Sequence, residues 1–201
     1  MRGLIETLNA RFAAAASGRN VLLVFLVAVL TFSLFNNWLV PAFQAATNGL
    51  YPIDMVMPTT PSVLYENYAV YTTESVRIYR QFVLVDFVWP PLLAVLFALA
   101  WTWLAKRCGS PLPQRMIASG LLLLPLSEAL LDLLENVGFL LLLENYPARL
   151  PAVVWATAGV RYTKLLLYVL CWLVTVMFGG SDRSSVLHRR RCAWSHRLSR
   201  P

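Results

Sequence analysis

The sequence predicts an all-α polytopic membrane protein, a four-helix transmembrane bundle with its N and C termini cytoplasmic. Three observations lead there. Of 201 residues 58% are hydrophobic and 13% charged, against about 25% charged in a soluble domain, so the chain has too little polar surface to cover itself in water. Four long apolar runs recur, each of bilayer-crossing length. The net charge of +7 gathers at the ends of those runs. That is the pattern of membrane topology and not of a nucleic-acid-binding face.

Taken in order, residues 1–20 form a basic tail with Arg2, Arg11 and Arg19. An uncharged run over 21–40 follows and is expected to end at Pro41. A cleaved signal peptide is the competing reading, with small residues at Ala42 and Ala45 downstream. The long basic region and long apolar run favour an uncleaved span.

The outer loop, 41–80, opens with four prolines, Pro41, Pro52, Pro58 and Pro61, that deny it regular structure. Tyr51, Tyr65, Tyr68, Tyr71 and Tyr79 then suggest a cap lying against the membrane surface, since tyrosine favours an apolar body with a wet tip. Thr72-Thr73-Glu74 reads as a helix start, a capping hydroxyl followed by an acid in the first turn. This helix is expected to run through Arg77 and Arg80 into the second span, 82–105, closed by Lys106 and Arg107. Pro90-Pro91 should bend it. Trp89 near one end, with Trp101 and Trp103 near the other, fits interfacial belts.

A short basic loop leads to the third span, 117–143, and a turn to the fourth, 152–178, which Gly179-Gly180 should end. The tail, 181–201, carries six arginines without an apolar period, which predicts a chain with no regular structure alone. Its charge suits anionic lipid headgroups. The two tails and the loop between the second and third spans hold twelve Lys and Arg, and the two opposite loops hold three. The positive-inside bias therefore places both tails in the cytoplasm. The cysteines Cys108, Cys171 and Cys192 match no metal knuckle or redox spacing, and His188 with Cys192 is too sparse for zinc. No cofactor is expected.

The third span is the unusual one, with Glu128, Asp132, Glu135 and Asn136 inside a leucine run. At about 100° per residue they share an arc of roughly 100°, a single polar stripe that lipid would not solvate. Three acids near a helix centre cost about 8–10 kcal/mol, and the thirteen leucines of 121–143 return about 4–8. The span is near break-even. By depth in the bundle, Arg161 of the fourth span should meet Glu135, and Lys164 should meet Asp132. Asp86 and the Asn36-Asn37 pair should lie towards the same outer half.

Each group also has a plainer reading. Arg161 and Lys164 can snorkel to the interface, Asp86 can complement a helix dipole near its start, and Asn36-Asn37 can be interfacial. The acidic stripe can be a packing seam within the bundle or between protomers.

Two stretches resemble a family. YTTESVRIYRQFVLVDFVWPPLLAVL at 71–96 and PLSEALLDLLENVGFLLLLENYP at 125–147 are similar to small four-span bacterial membrane proteins with a D-L-L-E-N third span. The resemblance covers about 65–178 and implies the four-span architecture, with Asp86, Asp132, Glu135 and Asn136 as characteristic positions. It implies no activity. A looser resemblance, in span number and buried acids, is to the sterol isomerase and sigma-2 receptor-like superfamily. That likeness implies a bundle cavity where a carboxylate stabilises a cationic amine or a carbocation.

Three functions follow as expectations. The first is a polar intramembrane cavity that binds a small cationic or amphipathic ligand or exchanges protons, using Glu128, Asp132, Glu135, Asn136, Asp86, Arg161 and Lys164. The second is acid–base chemistry on a lipid, for which the spans offer carboxyls but no obvious nucleophile. The third is the structural seam. The inner (plasma) membrane is the expected location.

Overall fold

A computed structural model describes residues 2–108 and 110–198, with side chains as far as Gly180. Among the described residues every regular element is helical. Three helices are long and apolar enough to cross a membrane, and a bent pair makes a fourth candidate.

The basic N-terminal region carries helix α1, Arg2–Ala15. It docks on the bundle end through Asn9, whose Nδ2 donates to the Ile117 carbonyl at 3.0 Å. Helix α2, Gly18–Leu34, is capped by Ser17, whose side chain accepts from the Asn20 amide. Pro41 does not stop the helix as the sequence suggested. The chain passes through a π-helical turn, Phe35–Leu39, and continues as α3, Val40–Ala46. Pro41 lies at the start of α3, where the wider π turn takes up its missing donor.

The outer loop also departs from expectation. A single 3₁₀ turn, Ile53–Met55, precedes helix α4, Pro61–Ala69, which Thr60 caps. Tyr65, Tyr68 and Tyr79 are buried within the protein. The Tyr68 and Tyr71 rings sit 5.3 Å apart and the Tyr68 and Tyr146 rings 6.0 Å apart. The loop has enough apolar surface of its own to fold back over the helix ends, and the Tyr68 hydroxyl donates to the Phe139 carbonyl at 3.1 Å. It is a plug on the bundle.

Helix α5, Thr73–Asp86, begins at the expected cap: Thr72 and Ser75 form a reciprocal capping box. The chain breaks at Phe87–Val88, and α6, Trp89–Arg107, starts with the proline pair in its first turn. Asp86 thus ends α5 and stands three residues before the start of α6 at Trp89.

The third span is not one rod over 117–143. Helices α7, Leu112–Ala118, and α8, Leu123–Glu144, meet at 52°. Gly120 sits at the bend with φ +102°, a conformation open to glycine and strained for other residues.

Helix α9 begins at Pro151 and continues to Leu198. Gly179-Gly180 does not end it, and the tail expected to lack regular structure carries the helix on. Extending a helix that already exists avoids the cost of nucleation. The arginines proposed to meet lipid headgroups, together with His188 and Cys192, have side chains outside the described residues.

Two apolar clusters divide the bundle. One centres on Phe43, Tyr79, Phe82 and Phe139, the other on Phe97, Trp101, Cys171 and Phe178. The polar stripe of α8 lies between them.

Candidate functional site

On α8 the polar face turns fully inward. Glu128, Asp132, Glu135 and Asn136 are 2%, 8%, 1% and 2% exposed, while Leu130, Leu134 and Val137 on the other side are 58%, 48% and 52% exposed. This is the 100° arc made physical. Helix α9 packs antiparallel against that face, and the close approach is permitted by Gly138. A Cβ there would lie 2.3 Å from Thr157 Oγ1.

The pairs expected from depth are present. Lys164 Nζ donates to Asp132 Oδ1 at 2.9 Å and also stands 2.5 Å from Glu135 Oε2. The second contact is close without hydrogen-bond angles, since Glu135 Oε2 makes no hydrogen bond of ordinary geometry. Arg161 Nε lies 3.7 Å from Glu135 Oε1. Neither cation snorkels freely outward: Arg161 is 5% exposed, and Lys164 is held between two carboxylates.

Arg161 has further partners that the sequence did not suggest. Its Nη1 donates to Thr59 Oγ1 at 2.9 Å and its Nη2 to the Asp54 carbonyl at 2.6 Å. Its guanidinium also lies 5.8 Å from the Phe139 ring centre. One planar fork therefore ties α8, α9 and the outer loop together. Asp54 brings a fifth carboxyl to the site, with Oδ1 buried and unpartnered. Burial, followed by the nearby Asp86 carboxylate, pushes the Asp54 acid up to about 8.

Two adjoining hollows lie beside the cluster. The larger, about 270 Å³, is lined by Asp54, Asp86, Asp132 and Lys164 together with Phe32, Phe35, Phe82, Trp89 and Tyr168. Its rim at Phe32, Asn36 and Met55 is exposed. The smaller, about 170 Å³, reaches Glu128 and Leu93 and shares Trp89, Asp132, Lys164 and Tyr168 with the first. Glu128 Oε2 is buried without a hydrogen-bond partner, and Asn136 turns its amide towards Asp86 without reaching ordinary hydrogen-bond geometry. Among the described residues, no Ser, Cys or His lines either hollow.

All seven residues singled out in the sequence thus fall in one cluster. Asn36 reaches only the rim, and its Nδ2 donates to its own helix at the Phe32 carbonyl. The sequence missed Asp54, Thr59 and the aromatic wall. Asp54 stands in a proline-rich loop with no periodicity to point at it, and the aromatics read as ordinary span residues. Among the groups described, five carboxyls (Asp54, Asp86, Glu128, Asp132, Glu135) face two cations, Arg161 and Lys164.

Comparison with known proteins finds no family model, curated relative or solved structure that matches the chain.

Proposed function

We propose that the protein is a multi-pass membrane protein of the inner membrane, with both termini cytoplasmic, that binds a small amphipathic organic cation in the hollow beside α8. The apolar length of its helices and the asymmetric placement of Lys and Arg support the membrane arrangement. Labelling with a membrane-impermeant maleimide tests it. In a cysteine-replaced background, a single cysteine at Ser62 should react from outside and one at Arg115 should not.

One observation carries the binding reading: the cluster has three more carboxyls than cations around an aromatic-walled space. Unpaired carboxylates out of water are costly, and a cation is what restores balance. A protonated amine would place its charge against Asp86 and Asp132 and its apolar body against Phe35, Phe82 and Trp89. Cation–π attraction adds about 0.5–2 kcal/mol. The volume, about 270 Å³, falls just below the range of roughly 300–1,000 Å³ usual for drug-sized ligands, which indicates a small guest. The exposed rim at Phe32 suits a ligand with an apolar part.

The test is calorimetric titration of the detergent-purified protein with 4-phenylbutylamine and with the isosteric 4-phenylbutanol. The amine should bind and the alcohol should not. Equal binding of the two would end the cation reading. Proton exchange is the second reading, favoured by Glu128, whose buried Oε2 has no partner. Protons would then meet the same excess of carboxyls.

A further inference from the structure

A further hollow lies at the other end of the bundle, away from the acids. It has about 370 Å³ between α2, α6 and α9, lined by residues that include Gly18, Leu22, Phe25, Ala100, Trp103 and Trp172. Apart from the indoles of Trp103 and Trp172, its one polar side chain, Thr175, is already committed. The Thr175 hydroxyl accepts from Trp101 Nε1 at 2.8 Å and donates to the Cys171 carbonyl at 2.8 Å. The groove therefore offers a guest mainly apolar contact. From Gly18 to Phe25 it follows α2 for seven residues, about 10 Å at 1.5 Å per residue, enough for part of an extended hydrocarbon chain.

The mouth has the opposite character. Arg19 follows Gly18, and Lys106 and Arg107 close α6 just beyond Trp103. The Arg107 guanidinium lies 4.7 Å from the Trp103 ring centre, directly at the groove's rim. Lys106 Nζ donates to the Ala13 carbonyl at 2.5 Å, which holds it at the same end. None of these three cations makes an ion pair among the described residues. The first turn of α2 contains no acid, so its dipole adds to the positive field. An apolar slot with a cationic lip fits a ligand with a hydrocarbon tail and an anionic head.

We propose that this groove holds one acyl chain of an anionic phospholipid, with the phosphate at Arg19, Lys106 and Arg107. The site rests on the membrane reading alone and is independent of the amine site. If the membrane reading failed, the protein would stay in solution without detergent.

The experiment is native mass spectrometry of the detergent-purified protein with added phosphatidylglycerol or phosphatidylcholine, both dioleoyl. Phosphatidylglycerol should bind at least tenfold more tightly than phosphatidylcholine. Arg19→Gln with Arg107→Gln should erase that preference, and Leu22→Trp, which fills the slot from its exposed side, should weaken retention of either lipid about tenfold. Lipid-free melting temperatures within a few degrees of wild type certify that the variants fold, all the changes being at exposed positions. Equal retention of the two lipids, or a double variant that keeps the preference, would overturn the proposal and leave only annular lipid.

Discussion

Lys164 Nζ stands 2.9 Å from Asp132 Oδ1, one helix across, in a layer that separates two apolar clusters. The same ammonium touches Glu135. It neutralises part of an acid-rich face and sits where a cationic guest would compete with it.

Replacing Lys164 by Met should therefore do two things. Breaking a buried ion pair from one side costs about 3–5 kcal/mol, read as a lower unfolding midpoint in detergent. Adding Asp132→Asn removes one orphaned carboxylate, and Glu135 keeps Arg161, so the double variant should recover part of the loss. Binding of 4-phenylbutylamine to Lys164→Met itself should tighten, because the ligand no longer competes with a resident ammonium.

Exchanging charges between Glu135 and Arg161 tests whether the stripe is only a seam. A carboxylate at 161 cannot donate to Thr59 or to the Asp54 carbonyl, as Arg161 does. Glu135→Arg with Arg161→Glu should restore helix pairing but leave residues 52–60 open, seen as fast amide exchange there. Full protection of that segment in the swapped variant would mean the fork is dispensable.

The Asp54 acid gives a pH dependence with a definite sign. Its value rises to about 8 in the folded protein, so the docked loop favours the neutral form. The contribution is fully present below the ordinary carboxylate value of 3.8 and is lost as pH rises through about 8. Amide exchange of residues 52–60, corrected for intrinsic rates, should accelerate as pH rises from about 4 to about 8, level off above that in the wild type, and stay flat in Asp54→Asn.

Helix contact between α8 and α9 depends on a missing methyl. Gly138→Ala would place Cβ 2.3 Å from Thr157 Oγ1, so the helices must part, at about 1–3 kcal/mol. Thr157→Ala in the same chain should return most of the lost unfolding midpoint. Gly138→Ala at wild-type stability would show that the interface gives way freely.

Much of this was legible beforehand because periodicity and depth are written in the chain. The angular arc brought Glu128 to Asn136 onto one face, and residue counts from the helix ends matched Arg161 to Glu135 and Lys164 to Asp132. What failed was anything set by folding back. The prolines of 41–61 signalled the absence of long helices, not that Asp54 and Thr59 would be carried into the bundle to meet Arg161. Buried tyrosines and interfacial tyrosines have the same composition, so the burial of Tyr65 and Tyr68 was not legible. Gly120 bends the third span through a backbone conformation that leaves no trace in hydropathy. Pro41 misled in the other direction, because a π turn absorbs it.

The most direct test of the central claim is to locate a bound amine. A benzylamine bearing a diazirine, photolysed on the detergent-purified protein and mapped by peptide mass spectrometry, should mark Trp89, Tyr168 or Phe82. Excess 4-phenylbutylamine should abolish the mark and 4-phenylbutanol should not. Labels scattered over the exposed apolar faces of the helices, or labels at Trp89 that the alcohol removes equally well, would contradict a cation site beside Asp86 and Asp132.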